Sequence, residues 1–207
     1  MSPAAPRTLR NLVVVPRHDL ALEFVNTVAW RGSTPAEGLH NFADVLAWLS
    51  STNAIALVAV ADLRKWFDAH PAAAAAVFHE MIEIRETLYR TFHAVASASA
   101  AAPDDLRRLN RALDEAAPRA VLDRTNAGFG WRIDLKPAAA AILAPVLWSA
   151  ADILVGPASA RLRECANHRC LWLFLDDSKN GSRRWCSMQA CGNRAKAHRH
   201  YLRHKDQ

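Results

Sequence analysis

The chain has 207 residues, 51% of them hydrophobic, and a formal net charge of +6. That length excludes a many-domain assembly and suits one domain with a small module, while the apolar content excludes a disordered chain. The charge is unevenly placed: residues 1–160 carry fifteen Lys/Arg against sixteen Asp/Glu, and residues 161–207 carry eleven against four. An excess confined to one end points to a polyanionic partner for that end.

In chain order, Leu12 to Val15 is a predicted strand. Arg7 and Arg10 precede only that short apolar stretch before Pro16, too little for a secretory h-region. Asp19 is placed to cap a helix running to about Trp30, with Leu20, Phe24 and Val28 on one face. Residues 32–38 read as loop, 42–49 as a short helix and 54–69 as another. A long helix follows Pro71, with Val77, Met81, Ile84, Leu88, Phe92 and Val95 in steps of three and four. The Ala/Ser-rich stretch 96–102 is either the frayed end of that helix or a loop. Pro103-Asp104-Asp105 opens the next helix. Residues 120–123 and 131–135 are expected to form a hairpin joined by Thr125 to Gly130. Pro137 then starts a last helix through Leu154, and Gly156 to Ser159 is the expected domain boundary. The apolar runs 54–61 and 138–151 fall short of the roughly 20 residues that span a bilayer. The expectation is a cytoplasmic protein without a membrane partner.

All four cysteines fall in the last quarter of the chain, as Cys165-x4-Cys170 and Cys186-x4-Cys191 with fifteen residues between the pairs. Paired cysteines with none left over match the closed tetrahedral shell of one structural Zn²⁺. The competing reading is two disulfides, which require an oxidising compartment that nothing here suggests. His168, inside the first pair, is an alternative fourth ligand. Leu171 to Asp176 is strand-like, Asn180-Gly181 signals a hairpin turn, and Ser182 to Trp185 would return the chain to the second pair. Gly192 offers the backbone freedom a tight knuckle asks for. Residues 193–205 read as helix. Knuckle, hairpin, knuckle and helix together make a treble-clef-like finger.

Cys191-Gly192-Asn193-Arg194, after Cys-x4-Cys and a Trp-Cys at 185–186, resembles the CGNR zinc finger of bacterial transcription regulators. In that family the finger follows an ABATE domain, whose opening is similar to Leu20 to Val28 here. The resemblance implies an α+β protein: a mostly helical sensor domain with a small sheet over 1–157, and a DNA-binding finger over 161–207.

Catalysis finds no support in the sequence, which lacks Gly-x-Ser-x-Gly, His-Glu-x-x-His and a phosphate loop; the expectation is a non-enzyme. On the last helix, Lys196, Arg199, His200 and Arg203 fall within an arc of roughly 100°. With Arg183 and Arg184 they are the candidate DNA contacts. Arg194 projects elsewhere and is read as a support for the second knuckle, with base contact as the alternative. Arg85 interrupts the apolar face of the long helix and needs an anionic partner, either an internal Asp/Glu or a small anionic effector held together with Asn26 and Arg31. Trp30 and Trp148 are expected in the core or at an interface. The reading is a DNA-binding regulator whose helical domain senses a small ligand or forms a homodimer. The alternatives are a protein-docking finger and RNA binding.

Overall fold

The computed structural model describes residues 9–15, 17–197 and 201. Its spine is α4 (Pro71–Ala96), 26 residues and roughly 39 Å long. Val77, Met81, Ile84, Leu88 and Phe92 line one face of it and are all buried. Around this stripe pack α1 (Leu20–Val25), α2 (Phe42–Ser51), α3 (Leu57–Asp68), α5 (Pro103–Glu115), α6 (Ala139–Ile142) and α7 (Ala144–Val155). Three small antiparallel sheets complete an α+β fold. They are β1 (Leu12–Val14) with β5 (Gly128–Ile133) and β4 (Val121–Thr125); β2 (Val28–Ala29) with β3 (Ala36–Glu37); and β6 (Leu162–Glu164) with β7 (Leu173–Leu175). No helix among the described residues is long and apolar enough to cross a membrane.

Several elements differ from expectation, each for a local reason. The helix expected from Asp19 to Trp30 stops at Val25, and Asp19 makes no capping bond. Its carboxylate pairs with Arg17 instead. The backbone N–H and hydroxyl of Thr27 both donate to the Phe24 carbonyl, closing a turn that releases Val28 and Ala29 to pair with β3. The last helix is broken at Leu143, because Pro145 cannot donate to Ala141 and its ring would crowd that carbonyl. The hairpin over 121–133 is longer than its glycines suggest: Thr125 pairs with Gly128 and Asp123 with Gly130. Gly130 is a packing glycine, since a Cβ there would sit 2.6 Å from Val13 Cγ1 in the neighbouring strand.

The largest departure concerns β7. Its partner is β6, ahead of the first cysteine, and not the 182–185 return segment. The register Leu162↔Leu175 and Glu164↔Leu173 places Leu162, Leu173 and Leu175 in the main core, at 1%, 1% and 6% exposure. Residues 182–184 are polar and exposed, with no apolar face to bury in exchange. A 3₁₀ turn, Pro157–Arg161, occupies the expected boundary. The two sequence segments therefore share one hydrophobic core.

Candidate metal centre

The first knuckle is built from the β6–β7 pair. Cys165 N–H donates to the Trp172 carbonyl at 2.8 Å where the two strands close, and Cys170 N–H donates to the Asn167 carbonyl at 2.7 Å. Asn167 also accepts from Arg169 N–H through its side chain at 3.2 Å. Leu171 then takes φ +57°, a left-handed angle that costs a non-glycine residue about 1–3 kcal/mol and redirects the chain into β7.

The return path is folded around one buried carboxylate. Asp176, 2% exposed, accepts from Ser178 N–H at 2.9 Å, Ser178 Oγ at 2.5 Å and Arg183 N–H at 3.0 Å. The bond from the Ser178 hydroxyl leads in holding this carboxyl below the usual range. Ala166 N–H donates to the Arg184 carbonyl at 2.9 Å, laying the return segment over the first knuckle. Ser187 caps Ala190 N–H, and a single π turn, Met188–Gly192, presents Cys191. Gly192 does not lie in the left-handed region, and a Cβ there would meet only the flexible, exposed Met188 thioether at 2.7 Å.

These paths bring the four Sγ atoms within 4.8 Å of one another. Cys170–Cys186 and Cys186–Cys191 are separated by 3.7 and 3.8 Å. Four sulfurs at about 2.3 Å from one tetrahedral centre stand about 3.8 Å apart, so the spacing is that of a zinc shell. It is far too wide for a disulfide, whose sulfurs lie about 2.05 Å apart. The acid–base balance agrees. Hydrogen bonding from the Cys186 thiol holds Cys165 down to about 5. Burial, together with the Cys165 charge, pushes Cys170 up to about 12. Cys186 is raised as well, first by its bond to Cys165. A thiolate at Cys165 makes its buried neighbours Cys170 and Cys186 harder to ionise, and a bound cation would relieve that repulsion. Asn167 Nδ2 supports Cys191 Sγ from the first knuckle at 3.4 Å. His168 is exposed and stands outside the cluster, which overturns its alternative role as a ligand.

The site is seated on the helical domain by specific contacts. Asn26 at the end of α1 imitates a strand: its Oδ1 accepts from Leu173 N–H at 3.1 Å and its Nδ2 donates to the Leu173 carbonyl at 2.8 Å. Trp172 Nε1 donates to the Val28 carbonyl and Tyr89 Oη to the Leu171 carbonyl. Gly32 N–H donates to the Arg169 carbonyl, and a Cβ on Gly32 would lie 1.8 Å from the His168 oxygen. Arg194 stacks over Trp30 at 4.5 Å, so it ties the second knuckle to the helical domain. No sequence signal marks Asn26, Gly32 or Tyr89 for these roles, because each acts on a partner more than eighty residues away.

The effector site expected at Asn26, Arg31 and Arg85 is corrected by the structure. Arg85, 2% exposed, binds Glu37 through two bonds of 2.6 Å, Glu86 through Nε at 2.9 Å and Thr27 Oγ1 at 3.1 Å. Arg31 forks onto Glu86 at 2.7 and 3.1 Å and lies over the Tyr89 ring. Asn26 is committed to Leu173. Arg85 and Asn26 are committed to protein partners, and of Arg31 only Nε is buried without a hydrogen-bond partner. Burial alone would raise Glu37 and Glu86, but the arginine hydrogen bonds overcome it and hold both carboxyls below the ordinary value.

Among the candidate DNA contacts, Arg183 is spent on the site: Nε donates to the Trp185 carbonyl at 2.9 Å and Nη2 to the Cys186 carbonyl, with the guanidinium over Phe174. Arg184 and Lys196 are exposed, and the helix that carries Lys196 runs through 193–197. Arg199, His200 and Arg203 lie outside the described residues.

Residues 18–157 match the family model ABATE, described as "Putative stress-induced transcription regulator". Residues 161–204 match the model CGNR zinc finger. No curated protein matches the chain.

Proposed function

Because the chain belongs to the ABATE family and ends in a CGNR zinc finger, we propose that it is a transcription regulator whose finger binds DNA through phosphate contacts. The observation that carries this reading is the state of the finger's charges. Among the described residues, Arg169, Lys179, Arg184 and Lys196 are exposed and have no carboxylate in ion-pair range. Cations left unpaired on a surface bound to a rigid metal site suit a polyanion, whose condensed counterions are released on contact. Rigid placement matters because phosphate contacts set register as well as affinity.

The finger's apolar side supports DNA over protein docking. Leu162, Leu173 and Leu175 are already buried in the protein's own core, and the outward side carries cations with Met188 and Tyr201 as its exposed apolar side chains among the described residues. The zinc in this reading is structural, with four protein thiolates and no open position for a substrate or water. Its work is to hold the two knuckles so that the cations keep their places.

The test is binding of the zinc-loaded protein to a duplex across a salt series. A straight fall of log affinity with log salt is expected, with a slope of roughly −0.9 per phosphate neutralised. Joint reversal of Arg169, Arg184 and Lys196 to Glu should abolish binding while zinc content stays at one per chain. Unchanged affinity in that variant would overturn the reading. Tighter binding to single-stranded or folded RNA than to duplex DNA would assign the finger to RNA.

A further inference from the structure

The N-terminal half of α4, away from the finger, forms one wall of a cleft of about 520 Å³ between α2, α3 and α4. Its floor is apolar and aromatic: Phe42, Leu46, Phe67 and Phe78, with the Phe42 and Phe67 rings 4.1 Å apart. The volume lies within the roughly 300–1,000 Å³ of small-molecule sites, and an apolar lining with few polar groups is their usual composition.

Three charged or titratable side chains stand at the rim: His40, Arg64 and Asp68. Arg64 is exposed and, among the described residues, pairs with no carboxylate, although Asp68 lies one turn further along α3. This sets it apart from Arg31, Arg85 and Arg90, each of which is locked to an acid. The facing wall is the first turn of α4, from Pro71, which contains no acid and no side-chain cap. Its free N–H groups add positive potential to the same mouth. Asp68 offsets part of this charge, so the preference for an anion rests on Arg64 and the α4 N-terminus, while the floor favours a hydrocarbon or aromatic body.

We infer that this cleft binds a small amphipathic carboxylate, with its alkyl or aryl body on Phe42, Phe67 and Phe78 and its carboxylate on Arg64. A guanidinium fork takes a carboxylate through two parallel hydrogen bonds, which a neutral amide cannot reproduce. The inference is independent of the DNA reading, since the two share no residue and either can fail alone.

The test is calorimetric titration and thermal shift of the full zinc-loaded chain with octanoate and 3-phenylpropionate. Their neutral amides and n-octylamine serve as controls. Carboxylates should raise the melting temperature, since a ligand of the folded state stabilises it. Arg64→Met, which keeps the aliphatic stem, should weaken carboxylate binding at least about tenfold and leave the weak amide binding unchanged. Ala75→Trp, at an exposed position on the α4 wall, should block both classes of ligand; its own melting temperature shows whether it folds. Equal binding of acid and amide, tighter binding of the amine, or no binding by any probe would overturn the inference. So would a change in sedimentation mass on Ala75→Trp, which would make the cleft a contact between copies.

Discussion

Three arginines on or against α4 and two on the finger face opposite conditions. Around α4, the buried Arg85, the half-buried Arg31 and the exposed Arg90 are held by carboxylates: Glu37, Glu86 and Asp105. On the finger, Arg169 and Arg184 have none, and Arg183 spends its donors on backbone carbonyls beside the metal site. Guanidinium chemistry is identical in both regions, so the difference lies in the neighbours. A buried cation must be paired or it costs several kcal/mol, whereas an exposed one can wait for a partner from outside. Substitutions in the first set should therefore change stability and spare DNA binding, and those in the second should do the reverse.

Removing the metal tests whether the two regions are separable at all. Apparent zinc binding in small fingers is worth about 10–16 kcal/mol, and here that energy feeds a shared core through Leu162, Leu173 and Leu175. Chelation, or Cys170→Ser, should lower the melting temperature of the whole chain in calorimetry. An unshifted transition for residues 18–157 would show that the helical domain stands alone.

Next in size is Glu37→Gln, which takes the bidentate partner from a guanidinium only 2% exposed. With Glu86 still in place, a loss of about 2–3 kcal/mol is expected in urea unfolding. Replacing both partners, as Arg85→Met with Glu37→Leu, should recover most of it. The pH dependence has a definite sign. Both carboxyls have folded values below the unfolded one, so their stabilisation is fully present above the ordinary carboxylate value and lost as pH falls below it through the depressed folded values. Glu37→Gln should flatten that acid limb, and an unchanged limb would remove Glu37 from the account.

Gly32→Ala addresses the seam itself. Its Cβ would meet a backbone carbonyl at 1.8 Å, and a carbonyl cannot rotate away as a side-chain tip can. A cost of about 1–3 kcal/mol is expected, with faster zinc loss to a chelator. Full stability in this variant would mean that the 30–33 loop and the first knuckle move apart freely.

The smallest effect on stability, and the sharpest contrast, comes from Arg184→Ala and Lys196→Ala. Each should stay within about 0.5 kcal/mol of the parent, as substitutions at exposed positions without an ion pair do, although Arg184 also lies over the Trp185 ring. Each should also reduce the salt slope of DNA binding by about one unit. A stability loss comparable to that of Glu37→Gln would place these residues in the same class as Arg85.

Much of this was legible in the chain. Helix periodicity marked α2 through α5, because an amphipathic stripe records burial residue by residue. Two Cys-x4-Cys pairs announced a tetrahedral site, because metal geometry constrains spacing along the backbone. The cationic excess of residues 161–207 was a matter of counting. What the chain could not disclose were choices between partners. Arg85 called for an anion, but whether Glu37 or a ligand supplied it depended on the β2–β3 pair that follows the Thr27 turn and carries Glu37. The strand at 173–175 could pair forwards or backwards, and the tertiary core decided by rewarding the register that buried Leu162. Arg183 looked like any other finger cation until the return loop, wrapped around Asp176, aimed it at two carbonyls. Local pattern fixes what each residue requires, while only the closed fold, in which contacts compete for the same buried volume, determines which residue meets the requirement.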